Sequence, residues 1–164
     1  MKVIYPGSFD PITCGHVDII QRLATLFTEI HVVVAHSRNK QSMFSPEERI
    51  RLIERVFQNV KQVQVTSHTG LTTDYMKKNG IRLIVRGLRA VSDYEYELTM
   101  AQMNKKLYPD CETLFLQSAP QFNFISSRGV KEVAHNQGSL DGLVPAEIQN
   151  DLINQIRKSH ATHR

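Results

Sequence analysis

Short apolar runs alternate with apolar residues at helical spacing from one end of the chain to the other. Lys2 to Tyr5 reads as a strand closed by Pro6-Gly7, and His16 to Thr28 then carries Val17, Ile20, Leu23, Ala24 and Phe27 on one helical face. Glu29 to Ala35 is a continuous β-branched run, the pattern of a strand buried on both faces. Ser45-Pro46-Glu47-Glu48 opens a helix with Ser as N-cap, Pro at N1 and Glu at N3, and Ile50, Ile53, Val56 and Phe57 mark its buried side. Gln62 to Thr66 is a third strand, and Thr72 to Lys78 a short helix stopped by Asn79-Gly80. Ile81 to Val85 is a fourth strand, followed by a second capping box, Ser92-Asp93-Tyr94-Glu95, opening a helix to about Leu107. Glu112 to Leu116 is a fifth strand; helices near Gly129 to His135 and from Pro145 onward complete the chain. Strand–helix alternation at this rhythm predicts an α/β fold, a five-stranded parallel sheet with helices on both faces.

Size and composition narrow this further. The 164 residues are one domain's worth, spanning 1–164 with residues 159–164 expected to fray. With 41% hydrophobic and 22% charged residues the chain is near the average for a folded soluble domain, which excludes fibres and disorder. No apolar run approaches the ~20 residues of a membrane helix. The start of the chain enters a strand directly, so no signal peptide is expected. Cys14 and Cys111 lack any paired spacing, which suits a reducing compartment and a cytoplasmic location. A net charge of +4 suits an anionic partner, although solubility alone would explain it, so the placement of the basic residues decides.

In an open parallel sheet, ligands bind beyond the carboxyl ends of the strands. Four segments fall there: Pro6 to His16 after the first strand, Arg38-Asn39-Lys40 after the second, Arg86-Gly87-Leu88-Arg89 after the fourth, and Phe122 to Arg128 after the fifth. Together they gather Lys, Arg, His, Ser and Gly on one rim, a set suited to several phosphate groups. Gly7 is read as allowing a tight turn and Gly15 as allowing close approach at the helix start. Thr13 and His16 then stand where free N–H groups and the positive dipole end favour anions. His16 could simply pack; within this loop the phosphate role is preferred. Arg86 and Arg89 supply forked donors, against the alternative of an ion-pair network with Asp93, Glu95 or Glu97. Ser126 and Ser127 serve equally well as N-caps and as phosphate donors. The stripe Tyr96, Met100, Met103, Leu107 is read as packing or a subunit contact.

Several chemistries are excluded. The chain has neither G-x-G-x-x-G nor a Walker-type loop, and no HExxH or paired-cysteine metal motif. His31 and His36 are read as structural or surface residues rather than metal ligands. The serines lack a G-x-S-x-G setting, which removes covalent serine catalysis.

Tyr5 to His16, Met43 to Arg49, Arg86 to Glu97, Phe124 to Ser127 and Val130 to Val133 together resemble the bacterial phosphopantetheine adenylyltransferases of the nucleotidylyltransferase superfamily. The superfamily's HxGH motif stands here as Thr13-Cys14-Gly15-His16, the TxGH form typical of that family. The resemblance implies a Rossmann-like sheet and transfer of the adenylyl group of ATP to 4′-phosphopantetheine, giving dephospho-coenzyme A and pyrophosphate with Mg²⁺ assisting; no residue is assigned as a metal ligand. It implies that Ser8 and His16 meet the α-phosphate, with His16 and Lys40 as the catalytic pair. Phe9, Gly87, Leu88, Arg89, Glu97 and the run Phe122, Asn123, Phe124, Ile125, Ser126, Ser127 and Arg128 would contact ATP. Ser8, Lys40, Leu71, Thr72 and Arg86 would contact the acceptor. It further implies a homohexamer and inhibition by coenzyme A; from the residues themselves, no nucleic-acid or membrane partner is expected. Two positions depart from the family's usual pattern: Arg128, where a third Ser or Thr is common, and Thr72, where a small or apolar residue is common. Relatives acting on nicotinamide mononucleotide or CTP usually carry the first His of the motif, which is Thr13 here. A nucleic-acid-binding module would interleave aromatic and basic residues, whereas the basic residues here sit in rim loops.

Overall fold

The computed structural model describes residues 1–36 and 42–162. Its elements are β1 (Lys2–Gly7), α1 (Cys14–Leu26), β2 (Glu29–Ala35), α2 (Pro46–Val56), β3 (Val63–His68), α3 (Thr72–Asn79), β4 (Leu83–Leu88), α4 (Val91–Leu107), β5 (Glu112–Gln117), a 3₁₀ turn at Pro120–Phe122, α5 (Ser127–His135) and α6 (Ala146–Thr162). All strands are parallel and lie in the order β3-β2-β1-β4-β5. The chain starts in the middle of the sheet, lays β2 and β3 to one side, then crosses back to lay β4 and β5 on the other. Order therefore reverses between β1 and β4. The connections leaving those two strands run in opposite directions and open a crevice between them.

Alternation along the central strands divides the core into two layers. Val3 and Tyr5 of β1, Ile30, Val32 and Val34 of β2 and Val85 of β4 pack with Ile19, Ile20 and Leu23 of α1, Ile53 of α2, Val130 of α5 and Leu152 of α6. Ile4, Val33 and Ile84 turn the other way, toward Met76 of α3 and Cys111. Ile20 and Leu23 are fully enclosed, each contributing roughly 1.5–3 kcal/mol. They fix α1, and with it the residues at its N-terminus.

Two helix starts differ from the sequence reading. Helix α1 begins at Cys14, with Thr13 as N-cap and His16 closing a capping box from the third position. Histidine is not the usual partner there, so the pattern hid the cap. Helix α4 begins at Val91, with Ala90 in the N-cap position, so the expected Ser92–Glu95 box does not start it. Asp93 instead accepts the Arg89 backbone N–H at 3.0 Å and takes the Arg89 side chain as well. The other starts follow the pattern: Ser45 and Glu48 form their box, and Gly80 ends α3 at φ 65°. Helix α6 packs on the core through buried Ile148, Leu152 and Ile156.

Candidate active site

A cleft of about 210 Å³ opens at the reversal point, walled by the end of β1, the start of α1, the end of β4 and the start of α5. Ser8, Phe9, His16, Arg86, Gly87, Arg89, Glu97, Ile125, Ser126 and Ser127, all picked out from the sequence, line it.

The β1–α1 loop is held in an uncommon shape. Phe9 takes a φ of 47°, the left-handed region that side chains other than glycine rarely adopt. Its ring is 1% exposed and folds back under Gly7, where a Cβ would stand 2.8 Å from Phe9 Cζ. The tight turn expected at Gly7 is thus made by Phe9, and Gly7 supplies the room for its ring. A buried guanidinium fixes the next peptide: Arg49, 3% exposed, donates to the carbonyls of Ser8 at 2.8 Å and Phe44 at 3.0 Å. Asp10 returns the grip, accepting the N–H groups of Met43 (3.0 Å) and Phe44 (2.9 Å) and the Lys131 ammonium (3.0 Å). Such strain persists only where surrounding contacts over-determine it, and here they do.

His16 has a defined protonation and direction. Its Nδ1 accepts the Thr13 backbone N–H at 3.0 Å. The ring proton must then sit on Nε2. Burial, and then the charges of Arg89 and Arg86, lower its pKa to about 4. At neutral pH the residue is an uncharged N–H donor on the pocket wall, held by its own helix cap and by the edge of Phe9 at 5.1 Å between centroids. Gly15 has less to do than expected, since a Cβ there would only touch Phe122 at 3.6 Å.

The arginines are both ion-paired and pocket-facing, so the two sequence readings hold together. Arg86 binds Glu97 through Nε (2.6 Å) and Nη2 (2.7 Å), and donates to the Pro6 carbonyl through Nη1. Glu97 is the only side chain of α4 that is buried, among those described. Arg89 binds Asp93 and the Ile125 carbonyl. Each guanidinium keeps further N–H donors for a ligand. Gly87 is closely approached by the protein itself: a Cβ would lie 2.5 Å from Ile19 Cδ1 and 3.2 Å from the Tyr5 hydroxyl.

The remaining candidates scatter. Ser126 caps α5 by accepting the Gly129 N–H, and Ser127 donates to the Pro11 carbonyl at 2.8 Å. Leu88 lies on an adjoining apolar hollow with Val91 and Tyr94. Phe122 packs on the core, Asn123 accepts from the Ser118 hydroxyl, Phe124 is 76% exposed, and Arg128 is exposed; none of these four lines the cleft. Leu71 and Thr72 stand at the start of α3, also outside the cleft. Lys40, with Arg38 and Asn39, lies outside the described residues. His31 is buried between Glu29 and Tyr75, and His36 meets Thr69. The sequence reading missed Tyr5 and Ser118 as cleft residues. Ser118 follows β5 directly, so the rule that ligands sit after strand ends would have found it.

The acids on the cleft wall, Asp93 and Glu97, are both committed to arginines. Among the described residues no group of three or more His, Cys, Asp or Glu could hold a metal ion. These donors do not fit a protein-held Mg²⁺.

Residues 4–133 match the cytidylyltransferase-like family model. The fold resembles that of Plasmodium falciparum nicotinic acid mononucleotide adenylyltransferase complexed with NaAD, at a TM-score of 0.67 and 18% identity over 97% of this chain and 95% of that one. A putative nicotinate-nucleotide adenylyltransferase from Vibrio parahaemolyticus superposes at 0.73, with 14% identity over 96% and 95% of the two chains. Sheet order, cleft and family model define a nucleotidyltransferase. Within that class, the phosphopantetheine adenylyltransferase of Bdellovibrio bacteriovorus is 59% identical over 94% of this chain and 97% of its own length. That of Thermotoga neapolitana is 48% identical over 96% and 98%. The chain belongs to the phosphopantetheine adenylyltransferase family.

Proposed function

We propose that this chain transfers the adenylyl group of ATP to 4′-phosphopantetheine, forming dephospho-coenzyme A and pyrophosphate. The observation that carries the reading is the cleft at the β1–β4 reversal, where a neutral His16 donor faces two arginines in a chain of this family. A phosphate oxygen of the acceptor attacks the α-phosphorus of ATP in line. The bond from the α-phosphorus to the α,β-bridging oxygen breaks, and pyrophosphate leaves with that electron pair. No protein nucleophile is needed, so catalysis rests on positioning and charge stabilisation. His16 Nε2–H and Ser8 donate to the α-phosphate as its charge rises. Arg89 takes the β- and γ-phosphates, Arg86 and Lys40 the acceptor's phosphate, and Leu71 and Thr72 the pantetheine arm. Mg²⁺ enters as part of the MgATP substrate, because the cleft's acids are taken by arginines.

Thr13 supports phosphopantetheine over nicotinamide mononucleotide or CTP chemistry, since the first histidine of HxGH is absent. Self-association, with six copies as the resemblance implies, is supported by α4, whose Tyr96, Met100, Met103 and Leu107 are 65%, 38%, 56% and 43% exposed in the single chain. Coenzyme A as inhibitor follows from the same resemblance, and a cytoplasmic setting from the unpaired spacing of Cys14 and Cys111; among the described residues no helix is long and apolar enough to cross a membrane. The test is pyrophosphate release by purified protein with MgATP and 4′-phosphopantetheine, nicotinamide mononucleotide or no acceptor. Release with phosphopantetheine alone is expected; release with neither acceptor would remove the reading.

A further inference from the structure

Tyr5 forms the inner wall of the cleft. It is 4% exposed, with its ring edge-on to Phe9 at 5.7 Å and tilted against His16 at 6.5 Å. Beyond the ring the hydroxyl reaches the end of β4, where it would stand 3.2 Å from a Cβ at Gly87. Gly87 therefore leaves the space that the phenol occupies.

Among the described residues no hydrogen-bond partner meets this hydroxyl, yet it is not sealed in. Thr73 Oγ1 is the one fully enclosed side-chain polar atom there without a partner. The Tyr5 hydroxyl is thus open, and the space it opens on is the cleft that Tyr5 lines. Burial raises its pKa well above the ordinary phenol value, outweighing the opposing pull of Arg86 and Arg89. The proton stays on the oxygen, leaving a donor without an acceptor among the described residues, beside two cationic side chains.

A buried polar group is ordinarily satisfied. One held open toward a phosphate-binding cleft has its acceptor in the ligand. We propose that Tyr5 is a nucleotide-binding residue of the adenylyl-transfer site, its hydroxyl donating to an oxygen of bound ATP near the α-phosphate. The nucleotide rather than the acceptor is indicated because the phenol stands between His16 and Gly87. This inference rests on the adenylyl-transfer reading above.

Tyr5→Phe removes one oxygen and keeps the ring that packs on Phe9. A hydrogen bond to a charged group is worth roughly tenfold or more in binding. The expected result is a fall of about tenfold in kcat/KM for ATP, or the same weakening of MgATP binding in calorimetry without acceptor. The KM for 4′-phosphopantetheine should stay within about twofold and the melting curve should be retained. Wild-type kcat/KM for ATP together with wild-type MgATP affinity would overturn the proposal. So would an equal loss toward both substrates, which would mark Tyr5 as structural support. The calorimetric arm uses MgATP alone, so a wild-type protein that binds MgATP but leaves phosphopantetheine untouched would fail the functional reading while still testing Tyr5.

Discussion

His16 stands at the third position of α1, where glutamate or glutamine usually reaches back to the N-cap N–H. The same bond that caps the helix sets the tautomer that faces the cleft. One side chain therefore links the helix start to the donor direction. It also makes stability depend on pH. With a folded pKa of about 4, below the 6.5 of a free histidine, the unfolded chain takes up the proton first. Lowering the pH from 7 to 5 then costs the folded state about 2 kcal/mol through this group, and the loss levels off below the folded value. His16→Gln keeps a side-chain acceptor for the cap and removes the titration. Urea unfolding of both proteins at pH 7 and pH 5 should show the wild type losing about 2 kcal/mol more than the variant; parallel losses would put the His16 proton elsewhere. Sequence spacing placed His16 at the helix start but not its charge, because burial and the two arginines come from elements distant along the chain. Tyr5 was hidden for a related reason. In β1 it reads as one more core position, and only the shape of the cleft shows its hydroxyl open.

Element boundaries were legible wherever the local chemistry was complete. Ser45-Pro46-Glu47-Glu48 carries N-cap, proline and capping acid within one turn, and α2 starts there. Helix α4 broke the rule because Arg89 draws Asp93 into an ion pair across its first turn. The same helix shows what a single chain leaves undone. Among its described side chains only Glu97 is buried, and the apolar stripe read as packing or subunit contact is not packed within this chain. Exposed apolar side chains in such a row mark an association surface. Light scattering should give a mass near six times the 18.8 kDa of one chain. Met103→Lys combined with Leu107→Lys should shift that mass downward. A wild-type protein running at the mass of one chain would contradict the assembly.

At the scale of the whole molecule, strand order decides where chemistry happens. The alternation of strands and helices predicted the parallel sheet, but not the β3-β2-β1-β4-β5 order that brings the end of β1 beside the end of β4. That order joins residues some eighty positions apart: Arg86 reaches the Pro6 carbonyl at 2.6 Å across the reversal. It also separates the candidates. Ser8, His16, Arg86 and Arg89 share one cleft, whereas Phe124 and Arg128 turn to the surface. The central claim is that this cleft performs adenylyl transfer with His16 as an uncharged donor to the α-phosphate. Its most direct test is the turnover of His16→Ala, which leaves no side-chain donor at this position, with MgATP and 4′-phosphopantetheine, read as pyrophosphate release beside a melting curve. Loss of a donor to the transition state predicts turnover lower by roughly 10²–10³ in a folded variant. Near-wild-type turnover in that folded variant would contradict the account.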